Sequence, residues 1–255
     1  MARPEHRFNE RVAIVTGAGS GLGRATALRL ASEGASVGGL DVAGDAAEKT
    51  AAEIGEAGGR GRAYRVDVRD SAAVQDAVAR IAADLGRPSI VVNAAGVGQF
   101  GHSHEFAPDD WERIVAINLT GTFYVCRAAL TYLLDGGGTI VNVASNAGLM
   151  GQPYSAAYCA SKGGVVQLTK ALAEEYLRRE VRVNVVAPGS IDTPLQEAFS
   201  TSFPADADPK ALRKLMSPMG AAPPQEIAGV IAFVASDEAR YMTGAVVPVD
   251  GGLTI

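Results

Sequence analysis

The chain is poor in the residues that build disulfide scaffolds and metal clusters: 255 residues include 2 cysteines and 3 histidines. Cys126 and Cys159 stand far apart and form no C-x-x-C pair, so they read as small buried thiols of a reducing compartment. His102 and His104 are the only neighbouring histidines, and two imidazoles without a third ligand read as surface residues, so no metal is expected. Basic residues are in the minority, with Lys+Arg 23 against Asp+Glu 28. No basic stripe is present to follow a phosphate backbone, which argues against nucleic acid as a partner. Long apolar runs are missing too. The opening MARPEHRFNE has no apolar h-region, and the longest uncharged stretch, Gly136 to Ser161, is full of Gly, Asn, Ser and Gln and carries a proline. Neither a secretory signal nor a membrane span is expected, and the reading is a soluble, cytoplasmic protein. Asn118-Leu119-Thr120 has the form of a glycosylation acceptor, which means nothing without secretion.

What is present is alternation. Short apolar, β-branched runs at 11–16, 35–41, 62–67, 89–93, 139–143, 181–187 and 245–250 read as strands. Helical spacing of apolar residues fills 22–33, 44–57, 71–85, 108–133, 153–179 and 223–235, in places behind an Asp, Ser or Pro suited to a helix start. Strand-helix alternation implies right-handed crossovers and a parallel sheet covered on both faces, an α/β doubly wound fold. No repeat, linker or low-complexity tract offers a place for a second domain, so 1–255 reads as one unit with a flexible N-terminus over 1–9. The segment 190–222 breaks the rhythm with prolines, two phenylalanines and two methionines, and reads as an irregular substrate-binding loop or lid.

TGAGSGLG, residues 16–23, follows the first strand and opens the first helix, which is where a doubly wound sheet seats a dinucleotide pyrophosphate. Its spacing, Gly17-x-x-x-Gly21-x-Gly23, is not G-x-G-x-x-G, so the location carries more than the pattern. No Lys-Ser/Thr follows, which excludes a nucleoside triphosphate P-loop. Asp41 ends the second strand 18 positions after Gly23, close to the offset of about 20 for an acid that hydrogen-bonds an adenosine ribose. A carboxylate accepts from a free 2′-hydroxyl and repels a 2′-phosphate, and neither Ser20 nor Val42 is a cation that would welcome that phosphate. NAD is expected rather than NADP.

With TGAGSGLG, VNAAG (92–96), NVAS (142–145), YCASK (158–162) and APGSIDT (187–193) in this order, the chain resembles the short-chain dehydrogenase/reductase family from near its start to VDGG at 249–252. Ser145 and Tyr158 are 13 positions apart, as that family's pattern requires, and Asn118 in INLTG sits where the family carries its fourth catalytic residue. The resemblance implies a seven-stranded parallel sheet and a catalytic set of Asn118, Ser145, Tyr158 and Lys162. It implies a cofactor site along Gly17, Ser20, Gly21, Leu22, Gly23 and Asp41, with Asp67 and Val68 near the adenine and Asn93, Ala94 and Gly96 along the dinucleotide. Tyr158, Lys162, Pro188, Gly189, Ile191 and Thr193 complete that site, with Thr193 by the nicotinamide carboxamide. One departure is visible: the family usually has a second asparagine where this chain has Ala94.

Helical spacing places Tyr158 and Lys162 on one face, their Cβ atoms about 5–6 Å apart. A phenol's ordinary pKa is about 10, so making it a base at neutrality takes about 4 kcal/mol. An ammonium about 4 Å away in an effective dielectric of about 20 contributes about that much. The expectation is therefore an NAD-dependent oxidoreductase that interconverts a secondary alcohol and a ketone by hydride transfer. Tyr158 moves the proton, Lys162 tunes it, and Ser145 holds the reacting oxygen. By resemblance, Lys162 also grips the nicotinamide ribose, Asn118 holds a relay water, and the assembly is a homotetramer. Leu149, Met150, Gln152, Tyr154, Leu195, Phe199, Phe203 and Met216 suggest a mainly apolar substrate compartment. Two other readings are a 3-oxoacyl thioester reductase using NADPH and a non-catalytic dinucleotide sensor or scaffold.

Overall fold

The computed structural model describes residues 6–213 and 215–255. Each of the seven apolar runs becomes a strand: β1 (Val12–Thr16), β2 (Ser36–Asp41), β3 (Arg60–Arg65), β4 (Pro88–Asn93), β5 (Gly138–Val143), β6 (Val181–Pro188) and β7 (Val246–Val249). They form one sheet in the order β3-β2-β1-β4-β5-β6-β7, and every neighbouring pair is parallel. The helices are α1 (Gly21–Ser32), α2 (Gly44–Glu56), α3 (Ser71–Leu85), α4 (Pro108–Val115), α5 (Gly121–Leu133), α6 (Ala156–Tyr176), α7 (Pro194–Thr201), α8 (Pro209–Arg213) and α9 (Pro224–Ala235). The strand order reverses between β1 and β4, and the crevice at that switch point is where such sheets bind ligands.

The sheet is buried on both faces, which is why its strands read as continuous apolar runs. In β1, Ala13 and Val15 pack with Leu22 and Leu30 of α1 and Ile227 and Ile231 of α9. Ile14, between them, points to the other side, against Val78 and Ile81 of α3 and Val125 and Leu133 of α5. Each fully buried side chain of this size contributes about 1.5–3 kcal/mol. The helical run Pro108–Leu133 is long and apolar enough to cross a membrane by length and composition, yet half of its most apolar window is buried inside this fold.

Three expectations need correction. The N-terminus is not flexible at residues 6–9: Phe8 is fully buried, its N–H donates to the Glu33 carbonyl at 2.9 Å, and Arg7 Nε donates to Glu33 Oε2 at 2.6 Å. One apolar residue in a polar stretch gave no hint of this anchor, and residues 1–5 lie outside the described residues. The third strand ends at Arg65 rather than 67, with the bond from Val66 N–H to the Asp41 carbonyl as its last rung to β2. The segment 190–222 is not irregular throughout, since it carries α7, started by Thr193 and Pro194, and the short α8.

Candidate active site

The end of the sheet beyond the strand C-termini holds a cavity of about 700 Å³ that runs from Asp41 to Tyr158 and on beneath α7. Its floor is the glycine loop. Gly17 takes φ +68°, a left-handed conformation that costs a glycine little, and a Cβ there would press on the Ala95 backbone at 3.1 Å. Gly23 lies so close to the loop that a Cβ would sit 2.1 Å from the Gly17 carbonyl oxygen. The first turn of α1 has no side-chain cap and no acidic residue, so its N–H groups and the positive end of its dipole are left for an anion. α3 shows the contrast: Asp70 caps it by accepting from Ala72 N–H and Ala73 N–H.

Asp41 braces this floor. Its Oδ2 accepts from Gly19 N–H at 2.8 Å and its Oδ1 from Ala43 N–H at 2.9 Å, which points the carboxylate at the loop and leaves acceptor capacity on both oxygens. Across the cavity, Thr16 Oγ1 accepts from both Ala94 N–H and Ala95 N–H at 3.0 Å and holds the wall after β4. That bond serves the backbone at Ala94, where the second asparagine of the family pattern is missing. The Asp67 carboxylate is taken by Arg69, which holds it below the usual range, and Arg69 also lines the cavity.

At the far end lie Ser145, Tyr158 and Lys162, all buried. Ser145 follows β5 and caps a short 3-10 turn, its Oγ accepting from Ala147 N–H at 3.2 Å and donating to Asn146 Oδ1 at 2.9 Å. Tyr158 is the third residue of α6, where the helix dipole favours an anion. Burial nevertheless pushes its phenol up to about 12, partly offset by the neighbouring Ser145 side chain and reinforced by Cys159. Lys162 lies one turn further along the same helix face. Burial pulls its ammonium down to about 8, it donates to the Val143 carbonyl at 2.9 Å, and it sits 5.8 Å from the Tyr158 ring centre.

Asn118 is fully buried on a π turn, Ala116–Thr120, between α4 and α5, a distortion frequent at functional sites. Its Oδ1 accepts from Val97 N–H, and its Nδ2 donates to the Val97 carbonyl, both at 2.8 Å, and to Ser161 Oγ at 3.0 Å. These bonds spend both amide hydrogens, so the side chain positions the wall beside Gly96 instead of reaching the cavity. The ceiling comes from 190–222. That segment is stitched at its ends, where Ile191 pairs with Ala222, Asp192 N–H donates to the Ala222 carbonyl and Ala222 N–H to the Ser190 carbonyl. Between those ends it is latched to neighbouring loops: Phe100 N–H donates to Ser202 Oγ, His102 Nε2 pairs with Asp206 Oδ1 at 2.9 Å, and Asp208 N–H donates to Tyr154 Oη at 3.0 Å.

Comparisons with known proteins agree with this geometry. A family described as enoyl-(acyl carrier protein) reductase matches residues 17–254. The chain is 42% identical over 252 residues to D-threitol dehydrogenase of Mycolicibacterium smegmatis, covering 98% of this chain and 95% of that one. It is 40% identical to meso-2,3-butanediol dehydrogenase of Serratia marcescens, covering 97% and 96%. Among solved structures, a short chain dehydrogenase from Mycobacterium paratuberculosis bound to NAD superposes with a TM-score of 0.90 at 34% identity, covering 97% and 99%. The chain belongs to the short-chain dehydrogenase/reductase family. It is an oxidoreductase that acts on CH–OH groups, interconverts an alcohol and a ketone, and uses a nicotinamide dinucleotide.

In this short-chain dehydrogenase/reductase the cavity gathers most positions expected from the sequence. Gly17, Ser20, Gly21, Leu22, Gly23, Asp41, Asp67, Val68, Ala94, Gly96, Ser145, Tyr158, Lys162, Pro188, Gly189, Ile191 and Thr193 all line it. Asn93 is not among them. As the last residue of β4 it points into the core, where Nδ2 donates to Asn142 Oδ1 at 2.9 Å and to Cys126 Sγ at 3.3 Å. Of the residues expected around the substrate, Gln152, Leu195, Phe199, Phe203 and Met216 line the cavity, whereas Leu149, Met150 and Tyr154 do not. Tyr154 instead meets His102 edge-on at 5.2 Å and ties down the ceiling. Phe100, Leu212, Leu215 and Arg69 line the cavity without having been singled out. No residue spacing carries that information.

Proposed function

We propose that this enzyme oxidises a short secondary alcohol, or reduces the corresponding ketone, with NAD in preference to NADP. The observation that carries the reading is the convergence of Ser145, Tyr158 and Lys162 on one cavity whose other end is closed by the Asp41 carboxylate. A dinucleotide fits that cavity: Gly17 and Gly23 leave the space that side chains would fill, and the uncapped α1 supplies donors for the pyrophosphate. Asp41 disfavours a 2′-phosphate next to its carboxylate. When bound, the nicotinamide supplies the hydride acceptor or donor, and its oxidised ring is a cation.

The chain's own residues handle the proton. With its phenol at about 12, Tyr158 is protonated at neutral pH and is set to donate to a ketone oxygen held by Ser145. In the oxidation direction it must accept a proton, and bringing a phenol from about 12 to neutrality takes about 7 kcal/mol. The Lys162 ammonium, on the same helix face, supplies a part of this. The remainder falls to the α6 N-terminus and to a second positive charge in the cavity.

Two finer readings accompany the proposal. Two free thiols, Cys126 and Cys159, support a reducing, cytoplasmic setting. Exposed Trp111 on α4 and Phe123 on α5 support assembly through those helices, consistent with a homotetramer. A 37% identity over 251 residues to a 3-oxoacyl-[acyl-carrier-protein] reductase of Thermotoga maritima supports, as a second reading, a 3-oxoacyl thioester reductase. Kinetics decide between them, since that reading requires a strong preference for NADPH. Tyr158→Phe tests the mechanism: kcat falls about 100- to 10,000-fold while NAD binding persists. Retention of most of the turnover would show that another group moves the proton.

A further inference from the structure

Gly98 lies outside the left-handed region of backbone space, so the path of the chain does not call for a glycine there. Phe199 does. A Cβ on Gly98 would lie 2.0 Å from Phe199 Cζ and 2.5 Å from Cε1, so the tip of the ring fills the notch left by the missing side chain. Phe199 is the one buried residue of α7. From this seat it meets Tyr158 edge-on at 4.9 Å and 81°, and it lies 4.8 Å from Phe100, which stacks on Phe203 at 4.1 Å.

We infer that Phe199, seated in the Gly98 notch, is the size filter of the substrate compartment and admits secondary alcohols or ketones with at least one small substituent, such as methyl or hydroxymethyl. The inference rests on the alcohol–ketone reading above and adds which alcohols pass. A carbinol carbon whose oxygen is held by Ser145 and Tyr158 carries two carbon substituents, and the one on the α7 side meets the Phe199 ring. A ring held by Gly98, Phe100 and Tyr158 cannot retreat without giving up those contacts, so a longer substituent is excluded rather than accommodated.

The test is kcat/KM for 2-butanol and 4-heptanol, and for 2-butanone and 4-heptanone, in the wild type, Phe199→Ala, Gly98→Ala and the double variant. Thermal midpoints are measured on the same four proteins. Wild-type enzyme favours the butyl compounds, and Phe199→Ala shifts the ratio toward the heptyl compounds by about tenfold or more. Phe199→Leu, which keeps an apolar side chain in the core, gives an intermediate ratio and serves if the alanine variant does not fold. Gly98→Ala expels the ring and lowers both the rate and the thermal midpoint, and in the Phe199→Ala background its effect on rate shrinks to within about twofold.

A ratio that stays within about twofold in an active Phe199 variant overturns the filter. Equal losses from Gly98→Ala in both backgrounds overturn the seat. Should the wild type turn over none of the four compounds, the filter falls together with the alcohol–ketone reading. The thermal cycle then separates the two failures, because it shows whether Phe199 occupies the notch without any turnover.

Discussion

The two ends of the cavity are built by different means. The cofactor end is backbone held by backbone and by single short side chains: Gly23 against the Gly17 carbonyl, Gly19 N–H on Asp41, Ala94 and Ala95 N–H on Thr16. The substrate end is held by rings and long side chains from segments about a hundred positions apart, Phe100 on Phe199 and Phe203, and His102 on Asp206. The first kind of contact fixes distances to within a few tenths of an ångström and tolerates no added atom. The second is a set of side-chain contacts, so a single substitution can reshape this end without moving the backbone of the other.

Substitutions can break this contrast. The largest effect is expected from Gly23→Ala, since a Cβ 2.1 Å from the Gly17 oxygen forces the loop apart. Affinity for NAD, measured by titration calorimetry, falls by about 100-fold or more. Affinity kept within about twofold would show that the rigid end is less rigid than its geometry.

Next is Arg7→Ala, which tests the anchor beneath α1. Glu33 is buried and shared by Arg7 and Arg29; burial raises its carboxyl, but the two guanidinium partners outweigh it and hold it below the usual range. Losing one partner costs about 2–4 kcal/mol in urea unfolding at pH 7. A depressed carboxyl contributes stability above its unfolded pKa and loses it as pH falls through the folded value, so the gap between variant and wild type narrows in acid.

Asp41→Ala sharpens the contrast at the ribose. Removing the carboxylate lowers the kcat/KM preference for NAD over NADP by about tenfold, and an unchanged ratio would place the selectivity elsewhere. The smallest effect belongs to the latch. Asp206 raises the His102 imidazole, with burial opposing and Glu105 reinforcing it; His104 and Tyr154 are the other titratable neighbours. A raised imidazole makes its full contribution below the unfolded value and loses it as pH rises through the folded one. Substrate KM therefore rises by about twofold from pH 6 to 8.5, and His102→Gln flattens that profile.

The same contrast governs what could be read from the sequence. All seven strands and the glycine loop were legible, because period, β-branching and loop chemistry are local properties. Asp41 was legible because a strand end sets its distance from the loop. The direction of the Asn93 side chain was not legible, because the pattern gives a residue type but not the face of the strand on which it lies, and here that face is the core. Phe100 and the latch were invisible because their partners are distant in sequence, with Phe100 N–H and Ser202 Oγ 102 positions apart. The Phe8 anchor was lost for the same reason, since its stabilising contacts come from the far end of α1 and not from its neighbours.

The pairing of Ile191 with Ala222 has an evolutionary reading. Both ends of the ceiling leave the body at one stitch, so the chain between them closes a loop whose entropic cost changes slowly with its length. Insertions, deletions or wholesale replacement there leave the spacing of the strands beneath untouched. A fold with such a seam can exchange its appetite for one alcohol against another, as a tool changes its bit, while the grip on the redox carrier stays as it is.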